Sequence, residues 1–407
     1  MNLSKLGSLL YRGVEFLCMN ISASHKVTMT LDYRRRWQSF LPKKSPELPS
    51  LWIHGASVGE LEDLAAFYGN AELVKKAGYS QEQLIITSSS PSAEEFLEKL
   101  KKKINPLYAG PIPPDVLPRV KEFFNFLKPE LLILSQSDVW PVLLSIAKDN
   151  LAKGAIWLPH KEQSAAWARN MLLAPIVKTV GQRRQEAPNP LPSARSEFVG
   201  SPRIDRILER IQESKSKPHP LQDILPANDK TSSKKIRILI GSAWKEDAKL
   251  MSEALSKIRL EDQNKFEVIV IPHDTKNPTE VSAISSYLGK NIISREGILL
   301  EAYNGFALAF VGGAFRTGLH NIIEPLAWGI PTFCGTDTHK QPDAPFYISQ
   351  GSLKRVNNSE DLRELLIATL EDNFLFKEWK EKAKDAQQLL SSQSGASERL
   401  VKLINES

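Results

Sequence analysis

Cysteine is almost missing from this chain. Two in 407 residues, Cys18 and Cys334, stand far apart and imply no disulfide framework, which fits a reducing compartment. The seven histidines are scattered with no close Cys/His cluster, so no structural zinc is expected. No apolar run reaches the ~18 residues of a membrane-spanning helix. No small-residue cleavage site follows an apolar core, which speaks against a secretory signal. Tandem repeats and the aromatic-basic motifs of RNA-binding modules are also lacking. The net charge of +6 suits an acidic partner such as a phosphate, nucleotide or anionic lipid, and is too small to argue for nucleic acid.

What is present is ordinary globular material, 42% hydrophobic and 25% charged, enough for two domains and three at most. Near the start, Leu6, Leu9, Leu10, Val14 and Leu17 recur at helical spacing, interrupted by Arg12 and Glu15. A basic run, Tyr33-Arg34-Arg35-Arg36-Trp37, follows. Two readings stand open: an amphipathic helix with arginines on an anionic membrane surface, or a helix packed on the body with a solvated charge run.

Further on, short apolar runs alternate with helical stretches. Leu51–Gly55, Leu84–Ser90 and Leu131–Ser137 read as buried parallel strands, with helices expected over 59–77, 93–103 and 117–127. A second series has strands at 236–242, 266–274 and 307–314, and the tail from Asp361 is helical in pattern. The expected fold class is α/β, two doubly wound Rossmann-like domains facing a cleft. The expected limits are a membrane-associating segment 1–40, a first domain 41–214, a linker 215–235 rich in Pro, Lys, Ser and Asp, and a second domain 236–407. Residues 185–197 read as a loop. Ligands in such folds gather past the carboxyl ends of the strands.

One such place is FVGGAFRTGLHNIIEPLAWGIPTFCG, Phe310–Gly335. Gly312 and Gly313 permit a sharp turn or a close ligand approach, and Gly318, His320 and Asn321 lead into a short helix. Free N–H groups at that helix start would suit a nucleotide phosphate, and Glu324 a ribose diol. A tight turn and a packing histidine are the plain alternatives.

This stretch resembles the donor-site segment of bacterial 3-deoxy-D-manno-octulosonate (Kdo) transferases, V-G-G-S followed by G-G-H-N-x-x-E-P. Others match in order: His54-Gly55-Ala56-Ser57-Val58-Gly59-Glu60 is similar to H-A-x-S-V-G-E, and Gln136-Ser137-Asp138-Val139-Trp140-Pro141 to E-T-E-x-W-P. Gly200–Asp205 is similar to G-N-x-K-x-D, Gly241–Trp244 to G-S-T-H, and Ile271-Pro272-His273 to P-R-H. The resemblance implies the GT-B fold and an inverting transfer of Kdo, or a related sugar, from CMP-Kdo to a lipid A precursor or other glycolipid. It implies a peripheral enzyme on the cytoplasmic face of the bacterial inner membrane, with no metal and no cofactor beyond the CMP-activated donor. Alternatives are a same-fold transferase with another donor or acceptor, and a non-catalytic descendant that binds nucleotide or glycolipid.

It assigns the catalytic base to Glu60, whose first-turn position also fits a capping box with Ser57. Donor binding falls to Ser242, His273, Gly312, Gly313, Gly318, His320, Asn321, Glu324 and Arg203. Acceptor binding falls to Ser57, Gly59, Gln136 and Asp138. Ser242 would otherwise be a helix N-cap, and Trp140-Pro141 would start a helix. The chain departs from the pattern at Gln136, Ser201, Arg203, Trp244, Ile271-Pro272 and Leu319, the last expected to crowd the phosphate turn.

Overall fold

The computed structural model describes residues 25–135, 140–159, 167–182, 189–225, 235–289 and 291–407. The chain forms two compact units, Met1–Arg206 with Gly395–Ser407, and Ile207–Ser394.

In the first unit, seven strands form one parallel sheet: β1 (Ser50–Gly55), β2 (Leu84–Ser88), β3 (Tyr108–Pro111), β4 (Pro129–Ser135), β5 (Gly154–Leu158), β6 (Val177–Gln182) and β7 (Arg195–Phe198). Their order is β3-β2-β1-β4-β5-β6-β7. A parallel sheet is covered on both faces, and every residue of β1 is buried. Alternation then divides the apolar residues between two cores: Leu51 and Ile53 pack with Leu61, Phe67 and Leu97, while Trp52 packs with Phe123, Phe124 and Leu132 on the other side.

The second unit holds a five-stranded parallel sheet, β8 (Ile236–Ala243), β9 (Phe266–Pro272), β10 (Leu308–Val311), β11 (Thr332–Cys334) and β12 (Leu353–Arg355), in the order β12-β11-β10-β8-β9. In each sheet the chain starts in the middle and later crosses to the other side. The strand order therefore reverses between β1 and β4, and again between β8 and β10. These are the topological switch points where such folds bind ligands.

The structure departs from the sequence reading in several places. The helix expected over 59–77 is three helices, Val58–Asp63, Ala65–Tyr68 and Ala71–Lys76, the last restarted by Asn70, whose Oδ1 accepts the N–H groups of Glu72 and Leu73. The stretch read as a loop ends in strand β7. The expected linker is partly core: Leu221 and Leu225, one helical turn apart, are buried with Tyr303 and Phe306 in the second unit. Residues 226–234 lie outside the described residues.

The last helix, Ala396–Asn405, belongs to the first unit rather than the second. The reason is Asp205, whose carboxylate accepts the N–H groups of Gly395, Ala396 and Ser397 at 2.8, 3.2 and 2.7 Å. Leu400, Val401, Leu403 and Ile404 then enter the first core.

The amphipathic segment before residue 25 lies outside the described residues. The basic run does not: Tyr33, Arg34 and Trp37 are buried, so the run is not the solvated one expected, and only Arg35 and Arg36 are exposed. The Arg34 guanidinium lies 3.7 Å over the Trp140 ring and donates to the carbonyls of Ile112 and Pro113. Arg36 makes a two-point pair with Glu94 at 2.8 Å, and Arg35 pairs with Asp32. Among the described residues no helix is long and apolar enough to cross a membrane.

Candidate active site

At the first switch point, β1 ends at Gly55 and the helix Val58–Asp63 opens at once. Gly55 is required here, because a Cβ would come within 3.1 Å of Glu60 Cβ and of the Leu61 backbone. The close return places Glu60 in the first turn, where its Oε2 accepts the Ala56 N–H at 2.6 Å. Ser57 is the N-cap residue, yet its hydroxyl caps nothing, so the full capping box is not made. A half-buried carboxylate at a helix N-terminus keeps its charge and can take a proton. His54, heading the motif, is buried and bonded to the Thr87 hydroxyl.

Gly59 is exposed, and nothing would lie within 4 Å of a Cβ there. Packing does not demand this glycine. Gly59→Ala should therefore fold as well as the parent, gaining up to about 1 kcal/mol of helix propensity. A rise in the acceptor KM without loss of stability would show that a ligand uses the empty space; an unchanged KM would remove Gly59 from the acceptor site.

Gln136 and Asp138 lie outside the described residues. The helix Pro141–Asn150 begins as the sequence implies, with Trp140 at the N-cap and Asp115 accepting the N–H groups of Val142 and Leu143. Arg203, assigned to donor binding, is in the first unit, 3.6 Å from the buried Asp63 that ends the helix carrying Glu60.

At the second switch point three neighbouring strands end together, β9 before His273, β8 before Trp244 and β10 before Gly312. Their side chains form one aromatic wall. His273 and His320 stack at 4.2 Å with 17° between their planes, and Trp244 lies 4.9 Å from His273. The indole N–H of Trp244 donates to His320 Nε2 at 3.3 Å. The Arg316 guanidinium covers the Trp244 ring at 4.2 Å and is held by Glu280 at 3.0 Å. Trp244, Arg316 and Lys340 were not singled out by the motifs as ligands; only the departure of Trp244 from G-S-T-H marked one of them.

Gly313 and Gly318 both have φ of +94°, a left-handed turn that glycine permits. A Cβ on Gly313 would meet Gly318 O at 2.6 Å and His320 Nε2 at 2.8 Å. Ser242 has φ of +53° in a bulge of β8, where the register with β9 shifts, and Trp244, not Ser242, is the N-cap of the following helix. The helix after the turn is only Ile323–Ala327. Asn321 Oδ1 accepts its Ile323 N–H at 3.1 Å, so the free helix start expected from the sequence is partly closed by its own cap. Asn321 Nδ2 is buried with no hydrogen-bond partner among the described residues. Glu324 is half-buried in the first turn of that helix. Leu319 is buried.

Burial lowers the pKa of His320 to about 4, aided by His273 and Lys340, and His273 is lowered as well. Both rings are therefore neutral at pH 7. Because the unfolded chain binds the His320 proton more readily, stability from this group falls as pH drops from 6.5 to about 4. The Lys340 stem packs on Gly318, its Cδ 2.7 Å from where a Cβ would stand. Lys340→Ala should raise the NMR titration midpoints of both histidines; unmoved midpoints would show that its charge does not reach them. Among the described residues no group of three His, Cys, Asp or Glu is placed to hold a metal ion.

The two-domain architecture is the GT-B fold. It is shared with a UDP-GlcNAc 2-epimerase from Neisseria meningitidis at a TM-score of 0.61 and 14% identity, covering 88% of this chain and 100% of that one. It is also shared with spinosyn rhamnosyltransferase SpnG at 0.55 and 11%, covering 88% and 100%. The model of the family described as 3-deoxy-D-manno-octulosonic-acid transferase (kdotransferase) matches residues 32–157. A 3-deoxy-D-manno-octulosonic acid transferase from Aquifex aeolicus is 25% identical over 350 residues, 79% of this chain and 87% of its own length. One from Chlamydophila psittaci is 24% identical, over 74% and 73%. The chain is a divergent relative of the Kdo transferases, and with them a glycosyltransferase.

Proposed function

We propose that this protein transfers Kdo, or a closely related sugar, from its CMP-activated form to a lipid A precursor. The observation that carries this reading is the wall of Trp244, His273 and His320 beside the Gly312–Gly313 turn, at the second switch point of a chain related to Kdo transferases along most of its length. The aromatic faces suit a nucleobase, and the unpartnered Asn321 amide suits a phosphate or ribose oxygen. In the transfer, the acceptor hydroxyl oxygen bonds to the anomeric carbon as the bond to phosphate breaks. The hydroxyl proton passes to Glu60 and CMP leaves with the bonding pair. Lys340 supplies positive charge near the neutral histidines, where the leaving phosphate gains charge.

The direct test is to incubate the protein with CMP-Kdo and a tetra-acylated lipid A precursor and look for a mass gain of whole Kdo units. No gain, with CMP still bound in calorimetry, transfers the reading to a different donor sugar or acceptor. No gain and no CMP binding removes the transferase reading in favour of the non-catalytic one. Activity that survives EDTA supports transfer without a resident metal; loss restored by one divalent ion overturns it.

Attachment to an anionic membrane surface, at the cytoplasmic face, is proposed through residues 1–24, since the basic run beyond them is largely engaged by the protein. Flotation with phosphatidylglycerol vesicles should be lost when residues 1–24 are removed. Deleting 1–40 would be a poor test, because Tyr33, Arg34 and Trp37 are part of the first unit's interior.

A further inference from the structure

The aromatic wall depends on a carboxyl group behind it. Asp247 lies one helical turn beyond Trp244 and is fully buried. Its Oδ2 accepts two backbone N–H groups, from Trp244 at 2.9 Å and from Gly313 at 3.0 Å. The first belongs to the turn after β8 and the second to the turn after β10. Oδ1 has no hydrogen-bond partner among the described residues. A Cβ on Gly312 would stand 2.6 Å from Oδ2, so the glycine is what lets the carboxyl span the two turns.

We propose that Asp247 is a positioning residue: a buried latch that joins the β8 turn to the Gly312–Gly313 turn and thereby sets the Trp244–His320 pair for nucleotide binding. This rests on reading the second switch point as the nucleotide-sugar site. A local cap alone would not need this arrangement. An N-cap side chain normally serves its own helix, whereas here the N-cap is Trp244, which has no acceptor, and an acid three residues on serves two strands. Burying a carboxyl with one oxygen unpaired is costly, so the group is retained at the expense of stability.

The charged groups around the latch add to that cost. Glu246 and Glu280 face it, while the Arg316 guanidinium is engaged by Glu280. Burial and these two acids push Asp247 up to about 7. The folded state thus holds a proton that the unfolded chain releases above pH 3.8, and stability contributed by this group falls as pH rises from 3.8 to about 7. Cys334, buried nearby, is itself raised to about 12, and His320 titrates near 4. His273, against the Trp244 ring, is lowered by burial from the ordinary imidazole value of 6.5, so a step close to pH 7 is expected from Asp247.

The test uses the Trp244 indole N–H resonance, assigned with Trp244→Phe, together with CMP calorimetry on the full chain. Asp247→Ala should shift that resonance and weaken CMP binding by about tenfold or more, as two buried N–H groups lose their acceptor. Asp247→Asn keeps an acceptor oxygen and cannot ionise. It should hold the resonance and most of the affinity, and abolish the step near pH 7. A wild-type resonance and affinity in Asp247→Ala would overturn the latch. So would a displaced resonance or lost affinity in Asp247→Asn, which keeps the acceptor oxygen, and this decides the matter if the alanine variant does not fold. A step that persists there would only take the titration away from Asp247. If the wild type binds no CMP but the resonance responds as described, the latch stands and the nucleotide reading fails.

Discussion

Glu60→Gln is expected to lower the turnover number by about 10²–10⁴-fold, the usual share of a general base, while the thermal midpoint and CMP affinity stay near those of the parent. The glutamine carbonyl still accepts the Ala56 N–H, which the carboxylate holds at 2.6 Å, so the turn after β1 keeps its shape. What disappears is the capacity to hold a proton. Glu60→Ala is a poorer probe, because it also leaves the Ala56 N–H without its acceptor, and a fall in activity could then follow from a displaced helix start. Turnover within threefold of the parent in the glutamine variant would reduce Glu60 to a structural partner of Ala56 and leave the base to be sought elsewhere.

Gly313→Ala should have a large effect on the second unit. A residue with a Cβ at φ of +94° carries about 1–2 kcal/mol of backbone strain. The added methyl would also overlap the Gly318 carbonyl oxygen and the His320 ring, at 2.6 and 2.8 Å, and overpacking of this kind costs about 1–3 kcal/mol. Together these correspond to a fall of about 5–15 °C in the midpoint. Relief can come only from shifting the backbone of the turn or rotating His320 away from Trp244, so CMP binding should fail as well. Gly318→Ala offers a graded comparison, since its Cβ would meet first the flexible Lys340 stem. If Gly313→Ala binds CMP as the parent does, the turn is not part of the nucleotide site.

Much of this was legible in the chain. The strands from Ser50, Leu84 and Pro129, and those from Ile236, Phe266 and Leu308, were marked by apolar runs because a strand covered on both faces has no polar side to show. The helix Leu117–Leu127 came out as read. Shorter or mixed elements did not. β7, with exposed Arg195 and Ser196, lies at a sheet edge and carries no such run. The helix expected from Gly59 broke at Leu64 and Asn70 because Asn70 offered its side chain to a new N-terminus. The glycines of the donor turn could be found by composition. The residues that shape the surface beside them, Asp247, Arg316 and Lys340, could not, because each acts on a group distant in sequence.

By itself the sequence determined the α/β class, the glycine turn after Val311 and the family resemblance, because each is written in local patterns: apolar runs, glycine turns and short motifs. Tertiary structure alone decided the rest. It turned Arg34 of the basic run inward on Trp140, Ile112 and Pro113, and returned the last helix to the first unit through Asp205. It also brought one buried carboxyl against a turn 66 residues away in sequence. These outcomes depend on which unpaired donors and acceptors meet once the strands are side by side, and neighbours in sequence do not specify that.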